Sequence, residues 1–225
     1  MMPYAARAVP WLRIAAHGVL VVASMEVVQR WPWQTWPLQG CAVALLAAGA
    51  ASCFDEPAAV LVDALPRPLW WRTTARAAGV LLLLGAWSVA VLRSWDDLFA
   101  HPWHVAWQGV AACLAGAAWA AWRRSGGDPD PGVRLGLVVV PLVTAWALVR
   151  PFSEQLPVFP YADGSGDFGD WGASLAGWVA LGGVAVVALV AALGDARWWW
   201  PRTTGRTSGR GVALTMGRHR VRSVD

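Results

Sequence analysis

The chain has 225 residues, of which 57% are hydrophobic and only 14% are charged. A soluble globular domain carries about 25% charged residues, so this composition argues against a soluble enzyme. Intrinsic disorder is also excluded, because disordered chains have a low hydrophobic content. All eighteen Lys+Arg positions are arginine, which together with abundant Ala, Gly and Val is typical of G+C-rich coding, as in an actinobacterium. We therefore expect an all-α integral membrane protein.

Six apolar stretches follow one another along the chain, and each approaches the roughly 20 residues that a helix needs to cross the hydrocarbon core. The predicted spans are residues 9–28, 36–54, 77–92, 104–122, 133–149 and 171–193. The third and fifth are short, but arginines at their ends can extend to the lipid head groups. These spans predict a bundle of six transmembrane helices within a domain 1–197, followed by a basic tail, 198–225.

The arginines predict the orientation of the bundle. With the N-terminus in the cytoplasm, fifteen arginines fall in cytoplasmic segments and only Arg30, Arg93 and Arg150 fall outside. Cytoplasmic loops of membrane proteins carry such an excess of positive charge. Tryptophans cluster at the span ends, where indoles favour the head-group region. We expect a multi-pass protein of the plasma membrane with both termini in the cytoplasm.

The first span contains two ionisable groups. Arg7 and Arg13 precede it, but no small-x-small cleavage site ends it, so we expect a retained span rather than a signal peptide. His17 and Glu26 lie within it, and ionisable groups in a membrane are costly, which makes both candidate functional residues. His17 could face a polar cavity or relay protons. Glu26 lies near the outer boundary, where we expect it to reach water beside Arg30.

The cytoplasmic loop after the second span has a distinct pattern. Asp55-Glu56-Pro57 is a helix-start signal, and Pro66 ends the predicted helix about two turns later. The mostly apolar surface of this helix favours a position at the membrane interface or in the groove of a partner. The charged residues of the loop and of the approach to the third span are Asp55, Glu56, Asp63, Arg67, Arg72 and Arg76.

This loop resembles one found in small actinobacterial membrane proteins associated with ABC transporters: Asp-Glu-Pro-Ala-Ala, a small-apolar stretch, Ala-Leu-Pro, then arginines that lead into a helix. The layout of six spans with both ends inside is similar to that of type-2 ABC exporter permeases. These permeases place a coupling helix between spans two and three, where it docks on the ATPase subunit. The resemblance implies that the charged residues of the loop form a coupling surface. The alternative is an interfacial helix that only anchors the loop.

Further polar candidates lie in and before the fourth span. His101 and His104 follow two aspartates in the third loop, and imidazoles near carboxylates can bind a divalent metal. Pro102 lies between them and disturbs the helix that would hold both imidazoles on one face. A solvated outer loop is therefore the favoured interpretation, and the two histidines are weak candidates for metal ligands. Gln108 lies inside the span, where an interhelical hydrogen bond is expected.

The last two segments differ sharply in composition. Residues 151–170 are rich in Pro, Gly, Asp and aromatics, which predicts an ordered outer loop or a re-entrant element, as those permeases carry before their last span. The tail is basic, and we expect Arg197, Arg202, Arg206 and Arg210 to face anionic lipids. Nucleic-acid binding by such a juxtamembrane tail is not expected.

These features favour the membrane subunit of an ABC-type transporter of the exporter class. The phosphate-binding loop of ATPases requires a lysine, and the chain has none, so we expect no catalytic residues and no cofactor here, with ATP on a separate cytoplasmic ATPase subunit. Another membrane subunit or a homo-oligomer is a further expected partner. The alternatives are an accessory subunit of a larger membrane complex without its own substrate path, and a metal- or haem-binding membrane protein that uses His17, His101 and His104.

Overall fold

A computed structural model of the chain describes residues 8–56, 69–98, 100–149, 157–160 and 170–194. Within these ranges the chain is helical and contains no strand, as the composition predicts. The helices are α1 (Trp11–Arg30), the single turn α2 (Pro32–Thr35), α3 (Pro37–Ser52), α4 (Leu69–Arg93), α5 (Pro102–Ser125), α6 (Pro131–Val149) and α7 (Trp171–Leu193). Four of them, α2, α3, α5 and α6, begin with proline, which suits the first helical position because its missing N–H would have no partner there.

Five of the helices, α1, α4, α5, α6 and α7, are long and apolar enough to cross a membrane. The remaining predicted span corresponds to α3, which has 16 residues and therefore extends only about 24 Å, less than the hydrocarbon core of about 30 Å. The predicted third span, 77–92, lies within the longer helix α4. In the structure α4 begins at Leu69, because the helix continues through the tryptophans and arginines that precede the apolar stretch.

The short helix α3 is the centre of the bundle. Twelve of its sixteen residues are buried, most of them Ala or Gly. Helices α1, α5 and α6 pack around it, α4 lies against α1 and α5, and α7 lies against α5. In contrast, α6 and α7 bury only about a tenth of the residues in their most apolar windows, so they present large apolar surfaces outward, as lipid-facing helices do.

The bundle has two chemically different ends. The arginine-rich end is formed by the starts of α1, α4 and α6 and the C-terminal ends of α3 and α5. At the opposite end, part of the predicted outer segment packs on the bundle. The carbonyl of Val158 accepts hydrogen bonds from Ser174 Oγ and Trp178 Nε1, and Phe159 is buried against Trp178. Asp170 caps α7 by accepting the Ala173 N–H.

Small residues allow close contact between α3 and α5. A Cβ atom added to Gly116 of α5 would lie 2.1 Å from the backbone oxygen of Ala47 in α3. The three cysteines also behave as small side chains: Cys53 and Cys113 are buried, Cys41 is partly buried, and all are free thiols.

We predict that Gly116→Ala destabilises the bundle by about 1–3 kcal/mol or more, because the new methyl group meets backbone that cannot move aside. The measurement is thermal unfolding of the purified protein in a mild detergent. Gly183→Ala in α7 is the matched control, since a Cβ there meets nothing within 4 Å. Equal unfolding temperatures for the two variants would contradict the close contact between α3 and α5.

Candidate functional site

The most unusual feature of the structure is a set of buried charges at the arginine-rich end. The carboxylate of Glu56 lies 2.8 Å from Arg76 Nη2, 3.1 Å from Arg124 Nη2 and 3.8 Å from Arg72 Nη1. The side chains of Glu56, Arg76 and Arg124 are all less than a tenth exposed. One carboxylate thus faces three guanidinium groups largely out of water. We call these residues, with Asp55 and Asp128, the Glu56 cluster.

Asp55 extends the cluster to two further helices. Its Oδ1 accepts the N–H of Gly132, at the start of α6, at 2.7 Å. Its Oδ2 lies 3.5 Å from Nη1 of Arg13 in α1, and its backbone carbonyl accepts a hydrogen bond from Arg76. Gly132 is needed for this approach, because a Cβ there would lie 2.3 Å from Cα of Ser52. The end of α3 is therefore held to α1, α4 and α6 by one residue.

Burial changes the acidity of Asp55. Loss of hydration raises the pKa of its carboxyl group to about 6, and the charge of Asp130 adds to the effect, while the Gly132 N–H and the nearby arginines oppose it. The group is 3% exposed, which accounts for the dominance of desolvation. Asp55 is thus expected to change charge at mildly acidic pH.

Asp128 anchors the turn between α5 and α6. Gly127 adopts a positive φ of 86°, a conformation that favours glycine, and brings Asp128 back toward the end of α5. Its Oδ2 lies 2.7 Å from Arg123 and 3.2 Å from Arg134. Burial acts to raise the pKa of Asp128, but the hydrogen bond from Arg123 and the positive charges lower it below its ordinary value. The Asp128 backbone oxygen also accepts a hydrogen bond from Arg124, which links this turn to Glu56.

The structure thus brings together four of the six residues that the sequence places in a coupling loop: Asp55, Glu56, Arg72 and Arg76. Their contacts lie within the chain, and three of them are buried, so they form the base of the loop rather than its surface. The other two, Asp63 and Arg67, lie outside the described residues, as do Arg197, Arg202, Arg206 and Arg210 of the tail.

Sequence reasoning missed Arg124, Asp128 and Gly132 as members of this site. They lie about 70 residues from Asp55 along the chain, so no local spacing connects them. The available signal was the Arg123-Arg124 pair followed by two glycines and an aspartate, which is a turn that can return a carboxylate to two arginines.

Each of the intramembrane candidates has a partner within the chain. His17 Nδ1 lies 2.8 Å from the Arg13 carbonyl of its own helix. Glu26 forms an ion pair with Arg93 at the end of α4, and the charge of Arg30, beside which the sequence placed it, also acts on it. Gln108 accepts an interhelical hydrogen bond from Gln39 Nε2 of α3 at 3.0 Å, and both glutamines are buried.

His101 and His104 are adjacent at the opposite end. Their ring centroids are 4.9 Å apart, and the His101 ring stacks on Trp171 at 4.6 Å. Desolvation, with the charge of His104, lowers the pKa of His101. Among the residues that the structure describes, no group of three or more His, Cys, Asp or Glu side chains could hold a metal ion. The His104 ring also meets Trp171, edge to face, at 5.7 Å, so the three rings form a compact aromatic cluster.

Comparison with known proteins yields no relative: no protein-family model matches the chain, and neither a curated protein nor a solved structure is significantly similar to it.

The pKa of Asp55 predicts a specific dependence of stability on pH. A carboxyl group with a pKa near 6 in the folded protein and near 4 in the unfolded chain binds its proton more tightly when folded. The contribution of Asp55 to the free energy of unfolding is therefore greatest below about pH 4. This contribution, roughly 3 kcal/mol at most, is lost as the pH rises to about 6.

Asp55→Asn tests this dependence, because the amide oxygen can still accept the Gly132 N–H but has no titration. Unfolding temperatures of both proteins are measured between pH 4 and pH 7. As the pH rises from 4 to 6, we expect the unfolding temperature of the wild-type protein to fall relative to that of Asp55→Asn. Above pH 6 the difference between the two unfolding temperatures should stay constant. Parallel curves over the whole range would contradict the raised pKa.

Proposed function

We propose that this protein is the membrane subunit of an ABC-type transport system, of the exporter class, and that it acts with a separate cytoplasmic ATPase subunit. In this proposal the arginine-rich end faces the cytoplasm, both termini lie on that side, and six helices pass through the plasma membrane, with the short α3 as the second. ATP binds to and is hydrolysed by the partner, and residues 57–68 make the contact.

The observation that supports this proposal is the position of the Glu56 cluster at both ends of that segment. Glu56 immediately precedes residues 57–68, and Arg72 and Arg76 follow within two turns of α4. Their ion pairs with Glu56 close the base of the segment. Because these ion pairs join the two ends of the segment, a displacement of the segment moves α3 and α4 together. Arg124 and Asp55 pass the movement on to α5 and α6. A coupling element must transmit movement to several helices in this way.

A second function, that of an accessory subunit of a larger membrane complex, is favoured by the core of the bundle. The centre of the bundle is filled by α3, whose buried residues are mostly Ala and Gly in direct contact with α5 and α6. Such packing suits a subunit that stabilises its neighbours without a substrate path of its own. The two functions differ in whether an ATPase accompanies the protein.

Isolation of the protein from its native membrane in a mild detergent distinguishes the two functions. We predict that an ATPase subunit copurifies with the wild-type protein, and that Asp63→Lys combined with Arg67→Glu greatly reduces its recovery. Asp63 and Arg67 are changed rather than Asp55 and Glu56, because Asp55 and Glu56 are buried and reversal of their charges would disrupt the bundle itself.

The control is Asp96→Lys, an exposed charge reversal at the opposite end of the bundle, which should leave the recovery of the ATPase unchanged. Recovery of other membrane proteins without an ATPase would favour the accessory function. Equal recovery of the ATPase with the segment variant and the control would refute the proposed contact through residues 57–68.

A further inference from the structure

Two glutamines meet in the core of the bundle, toward the end opposite the arginines. Gln39 lies in the first turn of α3 and Gln108 in the second turn of α5, and each is at most 1% exposed. Gln39 Nε2 donates a hydrogen bond of 3.0 Å to Gln108 Oε1. This contact uses only one polar atom of each side chain, whereas a primary amide carries both a carbonyl oxygen and an NH₂ group.

The other polar atom of each amide is unpaired. In the part of the chain that the structure describes, neither Gln39 Oε1 nor Gln108 Nε2 has a hydrogen-bond partner, although both atoms are fully buried. Nearly all buried polar atoms in proteins are hydrogen-bonded to protein or to ordered water, because an unpaired atom loses its hydration without compensation. Since the oxygen accepts and the NH₂ group donates, the pair suits a ligand that does both.

Polar character continues from the pair toward the end of the bundle. His104 lies on α5 four residues before Gln108, so it is on the same side of the helix and about 6 Å nearer the end. Its Nδ1 is also buried and has no partner among the described residues. A molecule that enters the core from this end therefore meets a polar group before it reaches the two amides.

The packing around the amides limits the ligand to a very small and neutral molecule. A Cβ on Gly40, next to the first glutamine, would lie 2.8 Å from that of Ala147, and one on Gly109, next to the second, would lie 2.1 Å from Trp87 Nε1. The amides carry no charge, and an ion is costly to bury without an opposite charge. Water is the smallest molecule that both donates and accepts hydrogen bonds, and buried waters make about two to four of them.

We propose that Gln39 and Gln108 form a binding site for ordered water in the core of the bundle. A water molecule accepts a hydrogen bond from Gln108 Nε2 and donates one to Gln39 Oε1, so that the water and the two amides close a hydrogen-bonded ring. The site gives an otherwise apolar core a polar position between α3 and α5. It does not depend on either proposed function, because it requires only side chains of this chain.

Nuclear magnetic resonance of the full chain in detergent micelles tests for this water. Transfer of magnetisation from water to a side-chain N–H requires water in contact with that group, and ¹⁵N labelling of glutamine and tryptophan makes these N–H groups visible. We expect transfer to the Nε2 hydrogens of Gln108, whose signal is identified by its loss in Gln108→Met. Unfolding temperatures confirm that this variant is folded.

The indole N–H of Trp87 is the matched control. Trp87 is as buried as Gln108, but its Nε1 donates a hydrogen bond of 3.0 Å to the carbonyl of Ala106, so we expect no transfer from water to this group. Absence of transfer to Gln108, or equal transfer to Gln108 and Trp87, would overturn the proposal.

A crystal structure of the wild-type protein at high resolution gives a second test that needs no variant. We expect density for one water molecule within about 3 Å of both Gln39 Oε1 and Gln108 Nε2. A direct hydrogen bond between these two atoms would overturn the proposal, since the amides would then satisfy each other. The absence of water density beside two unpaired amides would overturn it as well.

Discussion

The carboxylate of Glu56 holds three guanidinium groups together where little water reaches them, and the arrangement of the helices depends on that contact. Charges removed from water are costly unless they are paired, and removal of one partner from a buried pair costs about 3–5 kcal/mol. The partners come from α4 and α5, and the neighbouring Asp55 adds α1 and α6. Five helix ends are thus tied at one end of the bundle by charge rather than by apolar packing.

The long apolar helices could be predicted from the sequence, because the length and apolar character of a helix depend only on residues that are neighbours in the chain. Five predicted spans therefore correspond to helices that are long enough to cross a membrane. The predicted third span covers only residues 77–92 of α4. The sequence prediction assigned Arg72 and Arg76 to the preceding loop, whereas both lie in α4 and Arg76 is buried against Glu56. The cluster itself could be predicted only in part, since Arg124 meets Glu56 through tertiary packing across 68 residues.

The two ends of the bundle have different physical characters. At the arginine-rich end, buried ion pairs join the residues on either side of segment 57–68 in the sequence. At the opposite end, an aromatic cluster of His101, His104 and Trp171 and the buried Phe159 close the bundle, beside the more exposed ion pair of Glu26 and Arg93. Between the ends, small side chains in α3 and α5 allow the helices to approach closely. A force at the charged end therefore acts on several helices together.

Thermal unfolding of Glu56→Gln and of Glu26→Gln in the same detergent tests most directly whether the buried ion pairs of Glu56 hold the bundle together. Both substitutions remove one carboxylate charge from an ion pair, but Glu56 is buried among three arginines, whereas the Arg93 partner of Glu26 is 61% exposed. We predict that Glu56→Gln lowers the unfolding temperature by on the order of 10 °C and that Glu26→Gln changes it little. If Glu56→Gln unfolds at the wild-type temperature, the buried ion pairs do not hold the bundle together.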